Sequence, residues 1–212
     1  MQSIHLIRYL SAISTIAPII LGLSFYQYLK IDHKIILLFL FLAGCFDIFL
    51  YITTSSNTGT LLAFHIFTQI EFVSISLFYF INLKQFFNLK FLIILNSIGF
   101  LIIFFISFLL TPTTILDSFS SIFEHLFFIG LSFLLIFKNS FSNGAISKNK
   151  TSTLLNYLFL VYFSLSFFIF LFGNLFTEEL FLKVWIINSI ITIFSNLFIA
   201  FALWKSQEQT KS

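Results

Sequence analysis

The stretch LLAFHIFTQIEFVSISLFYFI, residues 61–81, decides the class of this protein. It is long enough to cross a bilayer, which takes about 20 mainly apolar residues. Within it stand His65, Gln69 and Glu71, side chains that hydrocarbon tolerates only where something compensates them. The rest of the chain has the same apolar character. Of its 212 residues, 59% are hydrophobic and 9% charged, and the mean hydropathy is +1.05. A soluble domain keeps about a quarter of its residues charged. This chain cannot cover a water-facing surface, so a multi-pass membrane protein is the class that remains.

Seven apolar stretches can be read, over about 5–29, 32–53, 59–82, 90–111, 115–138, 153–173 and 179–204. The expected fold is therefore all-α, a single bundle of seven transmembrane helices over 1–205 with a short polar tail at 206–212. The breaks carry loop chemistry: LKIDHK, TTSSNTG, NLKQFFNLK, TPTT, KNSFSNGAISKNK and GNLFTEE. None is long enough to hold a soluble domain. The first stretch lacks a small-residue cleavage site, so it reads as a span and not as a cleaved leader. Phe occurs 35 times, a bias that AT-rich codon usage explains and that points to an AT-rich bacterial host. The lone Cys45 excludes an intramolecular disulfide and any CxxC site. Basic residues form no run and aromatics are not interleaved with them, which argues against a nucleic-acid partner.

Positive charge orients the bundle. Lys30, Lys34, Lys84, Lys90, Lys138, Lys148, Lys150, Lys205 and Lys211 fall in the first, third and fifth loops, at their edges, or in the tail. The second and fourth loops hold no Lys or Arg. The positive-inside rule then expects the N-terminus outside and the C-terminus in the cytoplasm of a bacterial inner membrane. Arg8 and Lys183 are left at the outer rim. Each stands 22 residues from a cytoplasmic Lys on its own helix, about 33 Å, as interfacial anchors would.

The same ruler measures the polar residues. Glu71 lies 13 residues before Lys84, Glu124 lies 14 before Lys138, and Asp47 lies 13 after Lys34. Three acids on three helices are expected in one layer, about 20 Å from the cytoplasmic boundary. A charge at that depth is costly against lipid, so each should face the bundle interior. Ala43 and Gly44 share the face of Asp47 and would let a neighbour approach closely. Asp117, Ser121 and Glu124 form one stripe, as do Asn188, Thr192 and Ser195, and Thr68 stands one turn from Glu71. Pro18 should free a carbonyl and kink the first helix near the same depth. Asp47, His65, Glu71, Asp117, Glu124, His125, Asn188 and Thr192 are thus the candidates for a ligand or proton site. Nearly all lie at the layer or outward of it, and the cytoplasmic third reads as Leu, Ile, Phe and Ser. The site should open outward and be closed inward. The competing reading, protonated acids that merely join helices by hydrogen bonds, stays open at this point.

Chemistry with a recognisable signature is absent. Zinc hydrolysis needs three ligands, and no HxxxH or HxxE pair occurs, so neither metal nor cofactor is expected. A retinal site would need a Lys deep in the last helix, whereas Lys183 is at its rim. Two carboxyls with separated proton affinities could act as acid and base on a lipid. Gly44 and Asp47 faintly resemble the motif of the lysoplasmalogenase family, which implies such a hydrolase. FHIFTQIEFVSISLFYF, with WIINSII and NLFIAFALW around Trp185 and Trp204, resembles a set of uncharacterised seven-helix membrane proteins of Bacteroidetes with an H-[IV]-[YF]-x-x-I-E-F third helix. That resemblance implies the fold and weights His65 and Glu71 as a unit that could line adjacent walls of one cavity. The expected function is a receptor-like or signalling membrane module with an outward-facing acidic pocket for a small ligand, cation or proton. The alternatives are the lipid hydrolase and then a proton-coupled carrier. The expected partners are the lipid bilayer, a membrane or cytoplasmic signalling protein, and a second copy in a homo-oligomer.

Overall fold

The computed structural model describes residues 2–53, 57–111, 118–141, 150–173 and 178–211, and among these every regular element is helical. In chain order they are α1 (Gln2–Ser14), α2 (Ile16–Ser24), a short 3-10 turn (Tyr26–Tyr28), α3 (Ile31–Thr53), α4 (Asn57–Leu83), α5 (Leu89–Phe105), α6 (Ser118–Phe141), α7 (Lys150–Gly173) and α8 (Glu178–Lys211). The last turn of α5 widens into a π-helical segment, Ile106–Leu110. Helices are what an apolar solvent allows, because each satisfies its own backbone groups.

Six helices are long and apolar enough to cross a membrane: Ile31–Leu50, Leu62–Leu83, Leu89–Leu110, Ser118–Phe141, Lys150–Phe172 and Lys183–Gln207. The first predicted span is different. It is not one helix but two, broken at Thr15, with the shorter apolar segment Tyr9–Ser24 across the break. Pro18 is the cause, since it can offer no N–H to the carbonyl of Ser14. The Asn196 side chain of α8 donates to Ser14 Oγ at 2.8 Å and Thr15 Oγ1 at 3.1 Å, so the break is held from outside. Gly44 of α3 meets the same break. A Cβ there would lie 3.6 Å from Ile19 and 4.0 Å from Thr15, the close approach that Ala43 and Gly44 implied.

Two loop assignments shift. LKIDHK is not a loop throughout: α3 begins at Ile31, and Asp32 and His33 are buried in its first turn. The polar tail at 206–212 is helical as far as Lys211, as a continuation of α8, and Ser206 is buried. The lysine-bearing segments gather at one end of the bundle. Lys138 at the end of α6 lies 5.0 Å from the Phe87 ring in the α4–α5 link, and Asp32 of α3 meets Asn82 of α4 and Ser152 of α7. That end is called the lysine end below, and the opposite one the far end.

Large apolar side chains such as Leu38, Ile48, Leu101, Phe133 and Phe194 cover the outside, a surface suited to lipid contact. Inside, on the lysine side of Glu71, lies a block of aromatic rings from α4, α6 and α7. Phe72 stacks on Phe128 at 5.4 Å, Phe128 meets Phe163 at 4.8 Å, and Phe78 meets Phe159 edge-on at 5.2 Å. Gly99 of α5 makes room for this block, since a Cβ there would come within 2.9 Å of Phe72 and 3.0 Å of Phe127.

Candidate functional site

On the far side of the aromatic block the helices part to leave a cavity of about 130 Å³. Helix α4 contributes Phe64, Phe67, Thr68 and Glu71; α6 contributes Ser121 and His125; α7 contributes Tyr162 and Phe170; α8 contributes Trp185 and Asn188. Three of the candidate residues, Glu71, His125 and Asn188, therefore converge from three helices on one space. The stripe logic explains how. Phe64, Phe67, Thr68 and Glu71 fall at i, i+3, i+4 and i+7 on α4, and Ser121 and His125 are one turn apart on α6.

The polar groups in this wall differ in how they are satisfied. His125 Nδ1 donates to the Ser121 carbonyl, which leaves Nε2 as the acceptor of a neutral ring. Its ring stands edge-on to Phe163 and tilted against Phe170, both at 5.3 Å. Thr68 gives its hydroxyl to the Phe64 carbonyl at 3.0 Å. Asn188 Oδ1 is buried and meets no donor among the described residues. Among the described residues, Glu71 makes no hydrogen bond or ion pair and no Lys or Arg lines the cavity. A carboxyl in this position can be held neutral by a proton or balanced by a cation, and nothing in the wall supplies the second.

The remaining candidates lie around this space rather than in its wall. Glu124 is 1% exposed, beside His125 in sequence, and within electrostatic range of the Tyr162 hydroxyl, as are Glu71 and Asp47. Asp47 is half-buried, one turn from Gly44 and the α1–α2 break. Thr192 spends its hydroxyl on the Asn188 carbonyl at 3.0 Å, which steadies the turn that carries Asn188. Asp117 lies outside the described residues, as does the side chain of Arg8. Lys183 is exposed near the start of α8.

His65 is placed otherwise than its pairing with Glu71 implied. It is fully buried, its Nδ1 lies 3.0 Å from Ser107 Oγ, and its ring lies 6.0 Å from Phe108. It packs on the π-helical turn of α5 and does not line the cavity with Glu71. Six residues on a helix separate two side chains by about 120°, so α4 turns His65 towards α5 and Glu71 towards α6, α7 and α8.

The lysine end holds a polar cluster that the sequence concealed. Ser152 of α7 donates to Asp32 Oδ2 at 2.5 Å, and Asn82 of α4 donates to the same oxygen at 3.2 Å. His33 Nε2 lies 3.2 Å from Ser152 Oγ, and His33 Nδ1 lies 3.0 Å from Ser206 Oγ of α8. A carboxylate can only accept, so Ser152 donates to Asp32 and accepts from His33 Nε2–H, and in the neutral ring Nδ1 is then an acceptor facing the Ser206 hydroxyl. Asp32 is 3% and His33 0% exposed. Thus the lysine-side third is not purely apolar. An Asp-His pair next to Lys30 and Lys34 looks like solvated loop in a sequence. The only hint was its position one residue inside the helix start, where the helix dipole favours an acid.

Among the described residues, no three His, Cys, Asp or Glu side chains are grouped so as to hold a metal ion. No protein-family model, no curated protein and no solved structure matches this chain.

Proposed function

We propose that this protein is a receptor-like module of the bacterial cytoplasmic membrane, oriented with its lysine end in the cytoplasm, that admits a small ligand from outside into the cavity at Glu71. The observation that carries this reading is the convergence of Glu71, His125 and Asn188 on one cavity, with a wall of aromatic rings and an acid that meets no hydrogen-bond partner among the described residues. A space of this kind, apolar with a few placed polar groups, is the usual form of a small-molecule site. The aromatic block below it and the hydrogen-bonded cluster at the lysine end disfavour a through-path, and so favour a receptor over a carrier. With short loops at the lysine end, the occupied state would be read by a partner protein against the cytoplasmic ends of the helices.

The test is access. In a Cys45→Ser background, Thr68→Cys lines the cavity and Ser76→Cys lies two turns towards the lysine end in the packed interior. A membrane-impermeant thiol reagent added outside intact cells should label position 68 and spare position 76. Protection of both would overturn the outward-facing site. Labelling of both would replace the receptor with a continuous pathway.

A further inference from the structure

We propose that the cavity is a site for a small alkylammonium ion bearing N–H donors, held by Glu71 and by the surrounding rings. This deepens the reading of the cavity as a ligand site and rests on it. Charge comes first. Among the described residues, Glu71 is the only ionisable acid in the wall, it meets no cation, and the other ionisable side chains there are His125 and Tyr162. A neutral occupant leaves Glu71 to be neutralised by a proton, an anion is repelled by its ionised form, and a cation alone balances that form.

The kind of cation follows from the rest of the wall. A hard divalent ion takes six to eight oxygen ligands. Among the described residues, one carboxylate is accompanied in this wall by only a few neutral oxygens, too few for that shell. Phe64, Phe67, Tyr162, Phe170 and Trp185 instead line the space with aromatic rings, whose quadrupole can attract an organic cation. The polar remainder is rich in acceptors. Asn188 Oδ1 is buried without a donor, and the His125 tautomer fixed by Ser121 leaves Nε2 accepting. Three acceptors, counting the carboxylate, suit the N–H groups of a primary ammonium and would be wasted on a quaternary one.

Size sets the limit. A buried apolar cavity of about 150 Å³ holds one benzene, so a space of about 130 Å³ takes a cation of roughly that bulk or less. A free alkylamine meets this description. So does the aminoethyl end of an ethanolamine phospholipid entering from the outer leaflet.

Trp185 lines the cavity and can report on it. The chain has two Trp, so Trp204→Phe leaves Trp185 as the sole indole. This variant would be purified and placed in nanodiscs of phosphatidylcholine and phosphatidylglycerol, then titrated with n-butylammonium chloride. A saturable change in Trp185 emission is expected, absent with n-butanol and with butyrate. Glu71→Gln should weaken binding at least tenfold, and Glu71→Asp, which keeps the charge and shortens the reach, by roughly threefold. Adding phosphatidylethanolamine to the nanodiscs separates the two sources. Competition with butylammonium identifies the lipid headgroup as occupant, and its absence identifies a free amine. Two results overturn the proposal: no saturable response to butylammonium, or an undiminished response in both Glu71 variants. If either occurs while Thr68→Cys is still labelled from outside, the cavity remains an open ligand site and only its ammonium chemistry is lost.

Discussion

Two of the polar clusters inside this bundle are built on opposite principles. At the lysine end, Asp32, His33, Asn82, Ser152 and Ser206 join four helices in one continuous chain of hydrogen bonds, with Asp32 at the favourable end of the α3 dipole. Glu71 stands 11 residues before Asn82 on α4, about 16 Å away, and faces a cavity with no hydrogen-bond partner among the described residues. It sits mid-helix, where the dipole offers nothing. A buried polar group that is fully partnered contributes to specifying the fold, whereas one left unpartnered beside open space costs free energy that the fold does not recover. The first cluster is structural, and the second is the one that we propose a ligand completes.

The comparison predicts effects of different size and sign on stability, read as the unfolding free energy of purified protein in mixed micelles. Asp32→Ala should cost the most, about 3 kcal/mol, because it strips the acceptor from Ser152 and Asn82 and leaves His33 in a broken network. A loss below about 1 kcal/mol would mean that the lysine-end cluster is incidental. Ser206→Ala should cost about 1 kcal/mol, since it removes one partner of His33 and leaves the other bond intact. The two should be non-additive when combined, because both act on one network. Additive losses would show separate contacts and dissolve the cluster as a unit. Glu71→Gln should change stability least, within about 0.5 kcal/mol or slightly upward, because an amide is cheaper than a carboxylate in apolar surroundings and no native bond is lost. A loss above about 2 kcal/mol would move Glu71 into the structural class and erase the contrast.

How legible this was differs residue by residue. The sharing of a face by Thr68 and Glu71 could be read from 3.6 residues per turn, whereas among the described residues of the stripe Asp117, Ser121 and Glu124 only Ser121 is found in the wall. The break at Pro18 could be read from its missing N–H. Tyr162 and Phe170 could not be singled out, because each is one aromatic among many on an apolar helix. His65 stood in the same quoted stretch as Glu71 and seemed its natural companion. Its role was decided by α5, whose π-helical turn brings Ser107 to it. Asp32 and His33 were hidden by their company, since Lys on both sides gave the segment the composition of a solvated loop.

Composition and charge, which add along the chain, were sufficient by themselves for the membrane class, the approximate spans and the grouping of lysines at one end. The free energy of a span in lipid is nearly a sum over its residues, so no partner need be known. The rotation of each helix about its axis was decided only in the tertiary structure. In a soluble helix the polar face marks the outside, but here lipid-facing and core-facing sides are both apolar and hydropathy cannot tell them apart. Which acids are paired, where the aromatic rings close and where they leave a cavity therefore depend on neighbours distant in sequence. It is packing between helices that separates the satisfied Asp32 from the waiting Glu71.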